Sequence, residues 1–188
     1  MQSSISVLIV EDNASNTKHL KAQLEAEGYS TAQAEDGVEA IRVLEKHPAD
    51  VIISDVLMPK MDGYKLCHVV KKNKKWTNIP FIFYTATYTS PTDEKLAFEL
   101  GANAFLRKPA STKEIVDLIK SVISRRHPKP KPLKPLKEKD VLRDYSDRLV
   151  AKLEQKNVEL ALQTVALRER EERLSSIYDT TADVIFHL

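Results

Sequence analysis

The sequence predicts an α/β fold in which helices cover both faces of a parallel sheet. Five short apolar runs alternate with five segments of helical spacing within residues 1–124. Such alternation is typical of parallel strands joined by right-handed crossovers. The third run, 51–53, is continuously β-branched, which favours a strand that is buried on both faces.

The predicted elements follow one another in a regular order. Strands are predicted at 5–10, 29–34, 51–54, 79–84 and 102–106. Helices are predicted at 13–27, 38–47, 61–75 and 91–100, a turn at 36–37, and a last helix after Ser111. Gly28 and Gly101 stand where helices end, and Pro91 stands in a first helical turn. Ser111 and Glu114 have the spacing of a capping box, which begins the last helix.

Composition excludes several classes of protein. The chain has 188 residues, enough for one medium-sized domain with an appendage. No apolar run reaches the length of a membrane span, and the N-terminus lacks a signal-peptide pattern. The single Cys67 cannot form an internal disulfide, which indicates a reducing, cytoplasmic location. The cysteine and histidine spacing does not suit zinc, and we expect neither a membrane nor a nucleic acid as a partner.

Residues 1–124 are predicted to form a first domain. The last third of the chain differs from it in composition. Residues 125–137 combine prolines with lysines and arginines, which predicts an extended linker. Residues 138–178 contain neither glycine nor proline and repeat leucine every seven residues, which predicts a long helix. For this segment the sequence is compatible with two arrangements. One is a homodimeric coiled coil, and the other is a single helix packed on its own domain. Residues 179–188 begin a new apolar run, so we expect the chain to be a fragment of a longer protein.

Polar side chains follow four of the predicted strands. Glu11 and Asp12 come after the first strand, Asp55 after the third, Thr85 after the fourth and Lys108 after the fifth. In an open parallel sheet the carboxyl ends of the strands lie at one edge, where ligands bind. Each residue alone has a simpler interpretation as a helix cap, a turn residue or a strand residue. Their joint occurrence at four strand ends favours a functional site.

The residue types at these strand ends suit phosphoryl transfer. Crowded carboxylates repel one another, and a hard divalent cation such as Mg²⁺ relieves the repulsion with oxygen ligands. Lys108 can supply positive charge and Thr85 a hydroxyl group to phosphoryl oxygens. Asp55 is the central carboxylate and therefore the candidate nucleophile, because aspartyl phosphate is a known covalent intermediate.

Four motifs give residues 1 to about 124 a close resemblance to the receiver domain of two-component response regulators. They are Val10–Asn13, Asp55–Gly63, Thr85–Ala86 and Lys108–Pro109. The resemblance implies a flavodoxin-like, doubly wound parallel sheet with five strands in the order 2-1-3-4-5.

The resemblance also implies roles for the acidic residues. Asp55 would accept a phosphoryl group from the phosphohistidine of a histidine kinase or a phosphotransfer protein. Mg²⁺ would be bound by Asp12, Asp55 and the backbone carbonyl of Leu57, with Glu11 in support. Phosphorylation and dephosphorylation of Asp55 would then be the only chemistry, so we do not expect a conventional turnover enzyme.

Three further roles follow from the same resemblance. Thr85 and Lys108 would contact the phosphoryl group, and the peptide bond between Lys108 and Pro109 would be cis. Phe105 stands at the aromatic position that moves inward with Thr85 on activation. Since Phe105 lacks the hydroxyl group of the tyrosine common at this position, its movement would depend on packing alone.

The end of the chain carries a second, shorter resemblance. Residues 171–186 are similar to the helical lead into a PAS sensor domain, of which only the first strand would be present. The implied parent protein contains a receiver, a coiled coil and a PAS domain. The sequence leaves open whether a histidine kinase or another output domain follows the PAS domain.

The residues at the strand ends suggest three alternative functions. The first is a phosphoacceptor switch that passes its state to the C-terminal region. The second is a degenerate receiver that acts only as a dimerisation or interaction module, against which the complete residue set at the strand ends counts. The third is an aspartate-based phosphatase, which would need an acidic residue two positions after its nucleophile. Position 57 is leucine, which disfavours the phosphatase.

Overall fold

The computed structural model describes residues 4–87 and 90–124, together with Thr164, Arg168 and Arg170. The first two ranges contain five strands and five helices in strict alternation. The strands are β1 (Ser6–Val10), β2 (Ser30–Ala34), β3 (Val51–Ser54), β4 (Phe81–Thr85) and β5 (Ala104–Arg107). The helices are α1 (Ala14–Ala26), α2 (Gly37–Lys46), α3 (Gly63–Lys72), α4 (Pro91–Glu99) and α5 (Thr112–Ser124).

The five strands form one parallel sheet in the order β2-β1-β3-β4-β5. This is the flavodoxin-like α/β fold, and it confirms the predicted fold class and strand order. The chain reverses its direction of winding between β1 and β3, and clefts form at such points beyond the carboxyl ends of the strands. Val10 of β1 pairs with Ser54 of β3. Glu11 and Asp55, the next residues, therefore leave the sheet side by side.

The centre of the sheet is fully buried, which fixes the positions from which the site residues extend. Val7–Val10 and Val51–Ile53 are at most 2% exposed, as their unbroken apolar sequence predicted. Ile119 of α5 packs on one face of these strands, and burial of such a side chain contributes about 2 kcal/mol. Tyr64 of α3 packs on the other side of β4, with its ring centroid 5.1 Å from that of Phe83.

Side-chain caps decide where several helices begin. The predicted capping box at Ser111 is present, since its backbone N–H donates to Glu114 and its hydroxyl group accepts from the N–H of Glu114. A second capping box joins Ser90 and Asp93 at the start of α4, and the sequence prediction missed it. At α2 the cap is Asp36, and the helix begins at Gly37, where a turn was predicted.

Several predicted boundaries differ from the observed ones, among them the start of β5 and the end of α3. Two of the differences have identifiable reasons. Helix α3 begins at Gly63, two residues after the predicted start, because the side chain of Asp62 accepts the N–H of Lys65 as an N-cap. Strand β4 begins at Phe81, two residues after its predicted start. Pro80 has no N–H for a sheet hydrogen bond, and the N–H of Ile79 is already bonded to Trp76.

Outside residues 4–124 the structure describes only three exposed helical residues, Thr164, Arg168 and Arg170. The predicted linker at 125–137 and the PAS-like start at 179–188 lie outside the described residues. The predicted coiled coil at 138–178 and its homodimer contact stay predictions. None of the helices in the described part of the chain is long and apolar enough to cross a membrane.

Candidate functional site

Glu11, Asp55 and Lys108 meet at the carboxyl edge of the sheet. The Nζ atom of Lys108 donates to Oδ2 of Asp55 across 2.7 Å and also forms an ion pair with Oε2 of Glu11. All three side chains are largely buried, with 13% of Lys108, 13% of Asp55 and 7% of Glu11 exposed. Three of the predicted site residues, far apart in the chain, are therefore in direct contact.

The charges in this cluster do not balance. Burial by itself would lower the pKa of Lys108, but hydrogen bonds to Asp55 and Glu11 and the charges of both carboxylates outweigh it, so the pKa is raised. The ammonium group therefore stays charged at neutral pH. One ammonium against two carboxylates leaves a formal charge of −1, and Asp12, the exposed residue that follows Glu11 in the chain, brings the formal charge of the four residues to −2. Such a site attracts a further cation.

The second oxygen of each buried carboxylate is also held in place. Oδ1 of Asp55 accepts the N–H of Val56 across 2.5 Å. Oε1 of Glu11 accepts from the side-chain amide of Asn16 across 3.0 Å and from the N–H of Asn13 across 3.4 Å. Both carboxylates are thereby fixed in orientation. Asn16 was missed by the sequence prediction, although its place in the first turn of α1, close to Glu11 in the chain, was a usable signal.

The loop after Asp55 is fixed by close backbone contact. The N–H of Gly63 donates to the carbonyl of Val56 across 2.9 Å. A Cβ atom at Gly63 would lie 2.1 Å from the carbonyl oxygen of Asp55, so only glycine allows this approach. The loop between these contacts includes Leu57, which is half-buried.

The same loop is attached to α2 by a second set of contacts. Lys60 has a φ of +58°, which is uncommon for a residue with a side chain, and its ammonium lies 2.7 Å from Oδ2 of the buried Asp36. The N–H of Gly37 donates to the carbonyl of Met61 across 2.9 Å. Burial by itself would raise the pKa of Asp36, but hydrogen bonds from Lys60 and from N–H groups of α2 outweigh it and lower the pKa. The sequence prediction missed this attachment.

The predicted switch residues are not in the cluster. Thr85 is fully buried, and its hydroxyl group donates to the carbonyl of Thr87 across 2.9 Å and accepts the N–H of Thr87 across 3.1 Å. Phe105 is half-buried, with its ring centroid 6.2 Å from that of Phe83. The peptide bond between Lys108 and Pro109 is cis, as the resemblance implied.

The acidic residues suit a magnesium ion by their chemistry. Within the described residues, no three His, Cys, Asp or Glu side chains are grouped closely enough to form a metal site by themselves. Mg²⁺ does not need such a group, because it keeps several water ligands and takes one or two carboxylates. Glu11 and Asp12 also line an open cleft of about 440 Å³ beside α1 and β2, but neither Asp55 nor Lys108 lines it, so this cleft is separate from the space between Asp55 and Lys108.

The fold and the cluster at the sheet edge define a regulator of two-component signalling. Residues 7–120 match the response regulator receiver domain family. The chain therefore belongs to this family. Receiver domains of this family are signalling regulators that interact with histidine kinases or phosphotransfer proteins, and one relative, 32% identical over 158 residues, is named a probable cyclic di-GMP phosphodiesterase of Vibrio cholerae.

Three relatives illustrate the match. The "Probable transcriptional regulator ycf27" of Guillardia theta is 39% identical over 119 residues, which are 63% of this chain and 45% of that protein. The receiver domain of a signal transduction histidine kinase from Syntrophus aciditrophicus is 36% identical, with a TM-score of 0.61, and covers 71% of this chain and 100% of that one. The receiver domain of the sensor histidine kinase PA1611 from Pseudomonas aeruginosa is 28% identical, with a TM-score of 0.60 over 65% of this chain and 99% of that one, and contains magnesium in its active-site cleft.

The first curated relatives are longer than this chain. The chain spans about half the length of the first curated relatives it matches. Family membership consequently establishes the receiver domain, while the activity and partners of a whole protein are matters for proposal.

Proposed function

We propose that this domain is a phosphoacceptor switch in which Asp55 receives a phosphoryl group from the phosphohistidine of a kinase or a phosphotransfer protein. The observation that carries the proposal is the 2.7 Å contact between Lys108 and Asp55, beside Glu11 at the carboxyl edge of the sheet. The second carboxylate at the same ammonium leaves excess negative charge beside Asp55, which a single ion pair would not have.

The protein contributes to the reaction by positioning the reacting groups and by stabilising negative charge. A carboxylate oxygen of Asp55 forms a bond to phosphorus while the bond between phosphorus and the imidazole nitrogen breaks. The electron pair of that bond stays on the imidazole, which leaves and takes up a proton. Negative charge on the three peripheral phosphoryl oxygens is then stabilised by the ammonium of Lys108.

The acidic residues support a role for Mg²⁺ in this reaction. Asp12, Asp55 and the carbonyl of Leu57 would bind the ion, with Glu11 in support. When bound, it would neutralise phosphoryl oxygens that Lys108 does not reach. The oxygen donors of these residues favour Mg²⁺ as the ion. So does the formal charge of −2 carried together by Glu11, Asp12, Asp55 and Lys108.

The switch would involve Thr85 and Phe105. The hydroxyl group of Thr85 is bonded to Thr87, so contact with a phosphoryl group would require it to give up this bond. Phe105 lies on the neighbouring strand, paired with Phe83. A movement of Thr85 would open space toward which the Phe105 ring can turn, which would transmit phosphorylation to the surface of β5.

The state of the domain would pass to the C-terminal region of the chain. A coiled coil at 138–178 that forms a homodimer, followed by a PAS domain in a longer parent protein, remains our proposal for this output. Our expectation that no nucleic acid is bound also stays a prediction, since the first relatives are named as transcriptional regulators.

Binding of beryllofluoride, a phosphoryl mimic, tests the proposal against a degenerate receiver. We expect the wild-type chain to bind it in the presence of Mg²⁺, with amide NMR shifts at Thr85 and Phe105, and not in the presence of EDTA. Asp55→Asn should abolish binding, whereas Asp117→Asn, at an exposed position on α5, should not. Absence of Mg²⁺-dependent binding in the wild-type chain would favour the degenerate module.

A further inference from the structure

Lys108 reaches the two carboxylates on a long, flexible side chain. Fixing such a side chain costs rotamer entropy, so a group that holds it before phosphorylation favours the productive arrangement. Asp55 and Glu11 attract the ammonium group, but they do not fix the backbone from which the side chain extends. Tyr84 contacts both the ammonium and, at Ala110, the backbone two residues after Lys108.

The ring of Tyr84 lies beside the ammonium group. Nζ of Lys108 is 5.4 Å from the ring centroid, within the roughly 6 Å over which a cation is attracted by an aromatic face. Tyr84 belongs to β4 and packs against the apolar cluster that α1 and α5 form on the sheet. The ring therefore offers the ammonium a fixed surface.

The hydroxyl group of Tyr84 holds the chain on the other side of the proline. Its oxygen accepts the N–H of Ala110 across 3.3 Å. The N–H of Lys108 donates to the carbonyl of Thr85 across 2.9 Å, and Pro109 has no N–H. Strand β4 thus accepts both backbone N–H groups of residues 108–110, which fixes the backbone of Lys108 between two hydrogen bonds.

We propose that Tyr84 is a positioning residue for Lys108 and, through it, for phosphoryl transfer to Asp55. The ring holds the ammonium within reach of the carboxylates, and the hydroxyl group holds the segment that follows Lys108 by its hydrogen bond with the N–H of Ala110. Attraction to a ring face is less directional than a hydrogen bond, so the ammonium can follow the oxygens of Asp55 when they gain a phosphoryl group. This inference rests on the proposed phosphoacceptor function and adds a residue outside its four motifs.

Three variants of the full chain test this role: Tyr84→Leu, Tyr84→Phe and Ile82→Val. Ile82 is buried on the same face of β4 two residues earlier, so its variant is a control for lost apolar packing. With acetyl phosphate and Mg²⁺, we expect Tyr84→Leu to slow phosphorylation about fivefold, the equivalent of roughly 1 kcal/mol for a cation–ring contact. Tyr84→Phe retains the ring and should be slowed less, and Ile82→Val should keep the wild-type rate.

The NMR signals of Lys108 supply a second readout, which reports whether the ring lies over the ammonium group. The ring of Tyr84 shields the side-chain protons next to Nζ, so their signals should move downfield in Tyr84→Leu and stay in place in Ile82→Val. Wild-type phosphorylation in Tyr84→Leu, or unmoved Lys108 signals, would overturn the inference. A wild-type chain that takes up no phosphoryl group would instead refute the proposed function itself.

Discussion

Lys108 and Asp55 are 53 positions apart in the chain, yet Nζ of Lys108 lies 2.7 Å from Oδ2 of Asp55. The contact joins the end of β5 to the end of β3, across the end of β4. Glu11, from the end of β1, binds the same ammonium. A single cation thus unites the ends of three strands at the edge where the proposed chemistry takes place.

Removal of this cation should slow phosphorylation of Asp55 strongly. We expect Lys108→Met to lower the rate with acetyl phosphate and Mg²⁺ by about 100-fold, the effect typical of losing one preorganised group that stabilises transition-state charge. Stopped reactions separated on a phosphate-affinity gel would give the rate. Lys113→Met, at an exposed position on α5, is the control, and equal rates in the two variants would count against a role for Lys108.

Gly63, which lies against the carbonyl group of Asp55, should be required for both folding and phosphorylation. In Gly63→Ala the new Cβ atom would meet the carbonyl oxygen of Asp55, so we expect a loss of about 2 kcal/mol in the free energy of unfolding and slower phosphorylation. Gly28→Ala is the matched control. Gly28 has a φ of +85° but open space around it, so alanine should cost about 1 kcal/mol and leave phosphorylation unchanged. Equal phosphorylation rates in both variants would contradict this prediction.

The ion pair between Asp36 and Lys60 should make stability depend on pH. The pKa of Asp36 is lowered in the folded chain, so its contribution is present above the ordinary value near 3.8 and is lost as the pH falls through the folded pKa. Asp36→Asn can still cap α2 but loses the charge. We expect its thermal midpoint to be roughly 4 °C below that of the wild type at pH 7.

Thermal unfolding of both proteins between pH 7 and pH 3 would check this dependence. The difference between their midpoints should shrink on the acid side. A difference that stayed constant over the whole range would show that the charge of Asp36 is not the cause.

Leu57 should protect the aspartyl phosphate from water. It is half-buried two residues after Asp55, and an amide at this position could orient a water molecule by one hydrogen bond. We expect Leu57→Asn to accelerate hydrolysis of phosphorylated Asp55 about fivefold, the equivalent of roughly 1 kcal/mol. Leu57→Met, which keeps an apolar side chain of similar volume, should decay at the wild-type rate. An unaltered decay in the asparagine variant would refute the protective role.

Much of the fold was predictable because the apolar runs are short, buried and separated by helical segments. The unbroken β-branched sequence at 51–53 predicted a central strand, and β3 is one. The order of the strands came from the resemblance to receiver domains, because alternation alone is compatible with more than one order. The contact of Lys108 with Asp55 and Glu11 was anticipated for a general reason, since the carboxyl ends of parallel strands share one edge.

The orientation of individual side chains was not predictable in the same way. The hydroxyl group of Thr85 faces Thr87, because a buried hydroxyl takes whichever partner is nearest. Nothing local to Lys60 predicts its positive φ, since lysine has no preference for that region. The compensating contact comes from Asp36, 24 positions earlier in the chain. Such features depend on tertiary packing and required the structure.

The most direct test of the central claim is the intact mass of the chain after treatment with acetyl phosphate and Mg²⁺, combined with peptide mapping. We expect the wild type and Asp117→Asn to gain one phosphoryl group, located on Asp55, and Asp55→Asn to gain none. Phosphorylation of Asp55→Asn to the wild-type extent, or an unmodified wild-type chain, would contradict the assignment of Asp55 as the phosphoacceptor.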